Sequence, residues 1–224
     1  MKNRWKMSVK HLVTVGFVCG LCALLPLDGS AATPQNEQLD TLSFIEMINS
    51  VDLGDQSSFI QQFQDKEARA RLTSKFNSDK ARKEGCRLET YRNKEVILVT
   101  IPARLLFAPN ETLLNDKADE YLTPIKRYLR QPDMYRVLLM MHTDNTGSEQ
   151  YRDEITEERV ESIFEWFENQ GSDTSFLFPY AMSDDMPLVE NDSQQNRDTN
   201  RRLEIYLMPG TKMLEQAKKN RIEF

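Results

Sequence analysis

Residues 137–148 read VLLMMHTDNTGS, and residues 151–160, soon after them, read YRDEITEERV. An apolar, β-type run ends at a polar turn that carries one carboxylate, and a charged helical segment follows. The pattern predicts a strand, a turn and a helix, with Asp144 at the end of the strand and Arg159 about three turns into the helix. Two opposite charges placed in this way suit a ligand that bears both an amine and a carboxylate.

The segments around this unit alternate between strand and helix patterns, which predicts an α/β domain with helices packed on one mixed sheet. Consecutive apolar residues predict that the central strand is covered on both faces. Pro124 falls inside a helical segment, which it should bend or split. The predicted elements are a hairpin of 87–91 and 95–101, a helix over 113–130, the central strand 135–141, a helix over 148–170, a strand at 176–180, a polar loop over 182–199, a closing strand over 203–207 and a charged tail, 211–224, that is a candidate helix.

Two amphipathic segments precede the sheet. Apolar residues recur at near-helical intervals within 39–51 and 56–83, which predicts a short helical N-terminal region over 33–85. We expect these helices to pack on the sheet domain or on each other. The alternative is that they dock an outer-membrane or envelope protein, a partner that the sequence does not name.

The first 32 residues have the features of a cleaved secretory signal. Four basic side chains precede an apolar run from His11 to Pro26, and Ser30-Ala31-Ala32 supplies the small residues that a signal peptidase requires. An uncleaved anchor is the alternative, but the apolar run is shorter than the roughly 20 residues that a spanning helix needs. We therefore expect no transmembrane segment in the mature chain.

Composition and charge exclude several classes of function. At 39% hydrophobic and 29% charged residues, the chain has the composition of a globular protein. Loss of residues 1–32, with four basic and one acidic side chain, would change the formal net charge from −6 to −9, which excludes a nucleic-acid binder by bulk charge. His142 would then be the single histidine, so neither a zinc site with two imidazoles nor a hydrolase that uses another histidine is expected. We expect no metal and no cofactor, and Cys86, left without a partner cysteine, should be a buried small hydrophobe.

Three motifs follow one another in the order found in a known family. They are HTDNTGS at 142–148, ITEERV at 155–160 and NRRLEI at 200–205. These motifs resemble those of the OmpA C-terminal domain family, which includes the peptidoglycan-associated lipoprotein Pal and the MotB stator protein. The resemblance covers residues 86–210 and implies a compact βαβαβ-type sandwich. Met141 stands where the family has a glycine.

The resemblance implies non-covalent binding of peptidoglycan, without catalysis, in the periplasm at the cell wall or outer membrane. In the family an aspartate takes the ammonium of the stem-peptide diaminopimelate and an arginine takes its carboxylate. The matching residues here are Asp144 and Arg159. Hydrogen bonds from the turn and contacts from the start of the last strand are expected to complete the site, with one of the two strand arginines at the pocket rim and the other in a structural pair; these residues are Asn145, Thr146, Gly147, Arg201 and Arg202.

Less specific explanations of the same residues stay open. Asp144 could cap the turn and the following helix, since aspartate readily bonds nearby backbone N–H groups. If the helix starts at Ser148, Arg159 lies 11 residues on, or about 16 Å along the axis, so a direct salt bridge to Asp144 is not expected and a ligand would have to lie between them. The alternative function is an envelope scaffolding module that keeps the fold without wall binding.

Overall fold

Five strands form one mixed sheet at the centre of the structure, a computed structural model that describes residues 42–50 and 52–224. The strand order is β1-β2-β5-β3-β4, and all neighbours are antiparallel except β3 and β4, which are parallel. The predicted signal, residues 1–32, lies outside the described residues. The strands are β1 (Arg87–Tyr91), β2 (Val96–Pro102), β3 (Tyr135–His142), β4 (Leu177–Ala181) and β5 (Arg202–Pro209).

Strand β3 is buried along its whole length, as its continuous apolar sequence predicts. Val137, Leu139 and Met141 point into the larger hydrophobic core, whereas Leu138 and Met140 point into a second, smaller core on the opposite face. Because successive side chains alternate between the faces of a strand, both cores are needed to bury this run. Met141 therefore fills core space, at the position where the resemblance noted above predicts a glycine.

Helices cover the face of the sheet that carries the larger core. Apolar side chains from every helical segment after residue 56 except the one that ends at Asn200 belong to this core. The other face is covered by α1, whose Met47 and Ile48 pack in the smaller core. The α-helices are α1 (Phe44–Asn49), α2 (Ser57–Glu67), α3 (Thr73–Phe76), α4 (Asp79–Lys83), α5 (Ala118–Leu122), α6 (Glu149–Asn169), α7 (Gln194–Asn200) and α8 (Thr211–Ala217), with a π-helical turn at Ala68–Leu72 and 3-10 turns at Gly54–Gln56, Ala103–Leu105 and Thr123–Leu129.

The helices before the sheet share its core, as the first of the two alternatives predicts. Ile60 and Phe76 are fully buried in the larger core. Gln64, also fully buried, donates from Nε2 to the carbonyl of Glu95 at 2.9 Å and accepts from the Tyr135 hydroxyl at 2.9 Å. The same Nε2 also lies 3.3 Å from the carbonyl of Leu207, so the amide bonds both β3 and β5 and fixes α2 on the sheet, where an unpaired polar group would be costly. None of the described helices has both the length and the apolar composition needed to cross a membrane.

Two element boundaries differ from the sequence prediction. The helix expected over 113–130 begins later, at Ala118, and changes to a 3-10 helix at Thr123, next to Pro124. Proline lacks the N–H that an α-helix needs and so favours this split. The expectation of a loop throughout 182–199 is also wrong, because Ser193 accepts from the Asn196 N–H and starts α7. The tail expected to be a candidate helix forms α8.

Candidate functional site

The turn between β3 and α6 places Asp144 at the edge of the sheet. Ser148 is the N-cap of α6 and accepts from the Tyr151 N–H at 3.2 Å. Gly147 has φ +84°, and a Cβ there would lie 2.7 Å from Tyr151 Cδ1, so both the backbone angle and the contact require glycine. Asn145, Thr146 and Gly147 are exposed around the turn. Sequence and packing together therefore fix where the Asp144 carboxylate lies.

Asp144 is almost completely buried, with 1% of its surface exposed. Its Oδ1 accepts from the backbone N–H of Thr146 at 2.7 Å and from the hydroxyl of the same residue. Capping of the turn by Asp144, the less specific explanation of this residue, is thus present in the structure. The helix itself is capped by Ser148 instead. This role uses one oxygen of the carboxylate and leaves the second for an ion pair.

Arg201 makes that ion pair. Its Nη1 donates to Asp144 Oδ2 and its Nη2 donates to Asp198 Oδ1, so one guanidinium joins a buried and a half-exposed carboxylate. Burial would raise the pKa of Asp144, but the hydrogen bonds from Thr146 and the charge of Arg201 outweigh burial and lower it. Of the two arginines, Arg201 is therefore the one that faces Asp144, and its role at a pocket rim stays a prediction. The two residues are 57 positions apart, so no local sequence pattern predicts this pair.

Arg159 is buried next to this pair without a carboxylate of its own. Only 4% of its surface is exposed, its Nε donates to the carbonyl of Glu111 at 2.9 Å, and its guanidinium carbon lies 4.9 Å from the centre of the Phe107 ring. Within residues 42–50 and 52–224 it forms no ion pair, and its two Nη atoms donate to no protein group. Burial lowers the pKa of Arg159, and the positive charge of Arg201 lowers it further. Asp144 and Arg159 form no salt bridge, as the helix geometry predicts.

Arg202 belongs to a separate buried cluster. Its Nε donates to Glu204 Oε1 at 2.7 Å, and its other nitrogens donate to the carbonyls of Asn200 and Met186. Glu204 also accepts from the Tyr206 hydroxyl at 2.8 Å and lies 3.5 Å from His142 Nε2. Each nitrogen of Arg202 therefore donates to a protein group, and Arg202 with Glu204 forms the structural pair expected of one of the two arginines. His142 lies at the end of β3 inside the fold, and its ring nitrogens form no hydrogen bond within residues 42–50 and 52–224.

Acid should destabilise the fold through this cluster. Burial would raise the pKa of Glu204, but His142 and Arg202 outweigh burial and lower it from 4.5 to about 2. A carboxyl with a lowered folded pKa stabilises the fold above its unfolded pKa, and this contribution is lost as the pH falls from 4.5 towards 2. Burial also lowers the pKa of His142 from 6.5, so below that pH the unfolded chain binds a proton that the folded chain does not.

We therefore expect the urea midpoint to fall steadily as the pH is lowered from 6.5 to about 3. Equilibrium unfolding monitored by circular dichroism across this range checks the prediction. Glu204→Gln, which cannot titrate, should show a shallower slope than the wild type below pH 4.5. Equal slopes for the two proteins would contradict the role of Glu204.

Asn200, the first residue of the NRRLEI motif, has a structural role that the motif alone does not predict. Asn200 is fully buried; its Oδ1 accepts from the N–H groups of Leu188 and Val189, and its Nδ2 donates to the carbonyl of Val189 and to Asn191 Oδ1. Its side chain therefore holds the loop over 188–191 against the sheet edge. The NRR motif thus combines a loop anchor, an arginine that faces Asp144 and a buried arginine.

Comparison with known proteins identifies relatives of this region. Residues 106–201 match the sequence model of the OmpA family. The outer-membrane lipoprotein YfiB of Pseudomonas aeruginosa is 32% identical over 103 residues, which cover 46% of this chain and 61% of that protein. The matched segment thus spans about three fifths of the length of this curated relative.

Solved structures share the fold. A MotB-like protein from Desulfovibrio vulgaris superposes with a TM-score of 0.57 at 22% identity, over 69% of this chain and 98% of the other. The cell wall anchor of the type VI secretion system (T6SS) of Pseudomonas aeruginosa has a TM-score of 0.53 at 23% identity, over 63% of this chain and 99% of the other. The mixed five-stranded sheet with its helices is therefore the OmpA-like fold that the motifs imply.

Proposed function

We propose that this chain, which carries an OmpA-like domain, binds peptidoglycan without turnover and connects the cell wall to the bacterial envelope. The observation that carries the proposal is the buried Arg159, whose charge meets no carboxylate among the described residues. A desolvated charge is costly unless it is paired, so a ligand carboxylate would supply the missing partner. The planar guanidinium can grip a carboxylate through two parallel hydrogen bonds.

The ligand group we propose is the meso-diaminopimelate of the stem peptide. Its free end carries a carboxylate for Arg159 and an ammonium for Asp144, on one carbon atom. The exposed turn residues Asn145, Thr146 and Gly147 border Asp144 and would contribute hydrogen bonds. Arg201 lies at the rim, whereas Arg202 is outside the site that we propose, because each of its nitrogens donates to a group of the protein.

The relatives support an envelope location. One is described as an outer-membrane lipoprotein and another as a cell wall anchor. A cleaved signal at residues 1–32 would deliver this chain to the same compartment. We further propose that residues 33–85 contact an envelope protein. The described part of this region also packs on the sheet, so it has a structural role as well.

Asp144→Asn should abolish most of the binding to purified sacculi. The amide keeps an oxygen that accepts from Thr146 but removes the charge, so the turn is retained while the ammonium contact is lost. A lost charge-assisted contact costs on the order of 1.5–3 kcal/mol, or roughly ten- to a hundred-fold in affinity. Co-sedimentation of residues 33–224 with sacculi measures this effect.

The matched control is Asp173→Asn, because Asp173 forms the same type of turn with the N–H of Ser175 at 3.0 Å but is exposed and has no ion pair with any residue that the structure describes. The control should pellet like the wild type. If the wild type itself stays in solution, the domain has kept the fold without wall binding, and the scaffolding alternative replaces this proposal.

A further inference from the structure

Arg201 occupies the position at Asp144 where a ligand cation would bind. Asp144 Oδ1 is held by Thr146, and its Oδ2 is held by Arg201 Nη1. The carboxylate is also almost fully buried beneath these contacts. An ammonium group that approaches Asp144 therefore meets a carboxylate that is already neutralised, and it must share or replace the guanidinium.

Sharing is electrostatically unfavourable. Arg201 already pairs with the buried carboxylate of Asp144, and its positive charge also disfavours the charged form of Arg159. A ligand ammonium that shared this carboxylate would be repelled by Arg201 within a site that is shielded from water, where charge interactions are stronger than at the surface. Arg201 can instead leave Asp144 and still keep a carboxylate partner, because its Nη2 is already paired with the half-exposed Asp198.

We propose, on the basis of the peptidoglycan-binding function above, that Arg201 is an internal stand-in for the ligand ammonium, which ligand binding displaces from Asp144 onto Asp198. The free protein thereby keeps its buried aspartate paired, which avoids an isolated charge. The bound state exchanges one cation at Asp144 for another, while the ligand carboxylate neutralises Arg159. Asp198 then acts as a positioning residue that receives Arg201 and does not touch the ligand.

The proposal restricts the ligand class to a zwitterion. A ligand with a carboxylate but no amine can satisfy Arg159 but cannot displace Arg201, because it brings no cation for Asp144. Such a ligand should instead benefit from the positive charge of Arg201. Loss of Arg201 should therefore have opposite effects on ligands with and without the amine, which a merely structural role would not produce.

The test is calorimetric titration of residues 33–224 with meso-diaminopimelate and with pimelate, the same seven-carbon dicarboxylate without amines. Arg201→Met should bind diaminopimelate more tightly than the wild type, by about five- to ten-fold, because no arginine competes with the ligand ammonium for Asp144 in this variant. The same variant should bind pimelate equally or more weakly. Asp198→Asn should weaken diaminopimelate binding, because displaced Arg201 loses its second partner.

Arg201→Gln is the second variant, since it keeps an N–H donor near both carboxylates and protects the fold. Weaker diaminopimelate binding by both Arg201 variants, with wild-type binding intact, would overturn the stand-in role and make Arg201 a ligand contact. Equal changes for diaminopimelate and pimelate would overturn it as well. If no variant binds diaminopimelate and the wild type also fails to pellet with sacculi, the proposed function itself is wrong.

Discussion

Arg159→Met should abolish sacculus binding while leaving the fold intact. The variant removes the guanidinium that we assign to the ligand carboxylate, a loss of roughly ten- to a hundred-fold in affinity. The free energy of unfolding should change by no more than about 1 kcal/mol, because the charge-assisted bond lost to the Glu111 carbonyl is offset by relief from burying an unpaired charge. Methionine also keeps an apolar contact with the Phe107 ring.

This combination separates a binding residue from a structural one. Removing a buried arginine that holds the fold together would lower the stability of the protein. Removing the Arg159 guanidinium should instead lower binding to sacculi. Arg159→Lys should also lose most binding, since an ammonium cannot reproduce the two parallel bonds of a guanidinium. Co-sedimentation with sacculi and urea unfolding of the same preparations provide both measurements.

The control for Arg159→Lys is Arg82→Lys, which makes the same change at an exposed arginine paired with Asp79 on α4. Arg82→Lys should bind sacculi like the wild type. Full retention of binding in Arg159→Lys would contradict the assignment of Arg159 to the ligand carboxylate. A large loss of stability in Arg159→Met would instead place Arg159 among the structural residues.

Local sequence predicted the parts of the site that lie on one continuous strand, turn and helix. The apolar run before Asp144, the turn at Gly147 and the spacing to Arg159 all follow from patterns within about 20 residues. The expectation that Asp144 and Arg159 do not pair directly also holds, because helix rise fixes their separation. Sequence could show that two strand arginines are present, but it could not distinguish them.

The distinction between Arg201 and Arg202 depends on contacts that only the folded sheet creates. Arg202 faces the interior because it is paired across the ladder with His142 and shares a face with Glu204. Arg201, one residue earlier, ends α7 and turns towards Asp144. Alternation along a strand predicts that the side chains of successive residues point to opposite faces of the sheet, but it does not predict which face is buried. The role of Asp198 depends on α7, which the sequence prediction had as loop.

Glu204→Leu should lower the free energy of unfolding by about 3–5 kcal/mol, the usual cost of removing one member of a buried ion pair. Arg202 has only 2% of its surface exposed, so its charge would lose its one carboxylate without gaining water. Tyr206→Phe removes a single hydrogen bond to the same carboxylate and should cost less, about 1.5–3 kcal/mol. Urea unfolding at neutral pH measures both changes.

Removing both charges should reverse most of this loss. A buried pair can often be replaced by apolar side chains of similar size at little cost, because the desolvation of both ions is removed together. We therefore expect the variant with Arg202→Met and Glu204→Leu to be more stable than Glu204→Leu. A double variant as unstable as the sum of the two single changes would show that the residues are not coupled.

The same double variant also tests the boundary of the binding site. Arg202 donates only to Glu204 and to backbone carbonyls, whereas Arg201 faces Asp144. If ligand contacts end at Arg201, the folded double variant should pellet with sacculi like the wild type. Loss of binding in a variant that remains folded would mean that Arg202 reaches the ligand. Retained binding would leave Asp144 and Arg159 as the charged contacts, with Arg201 as the competing cation between them.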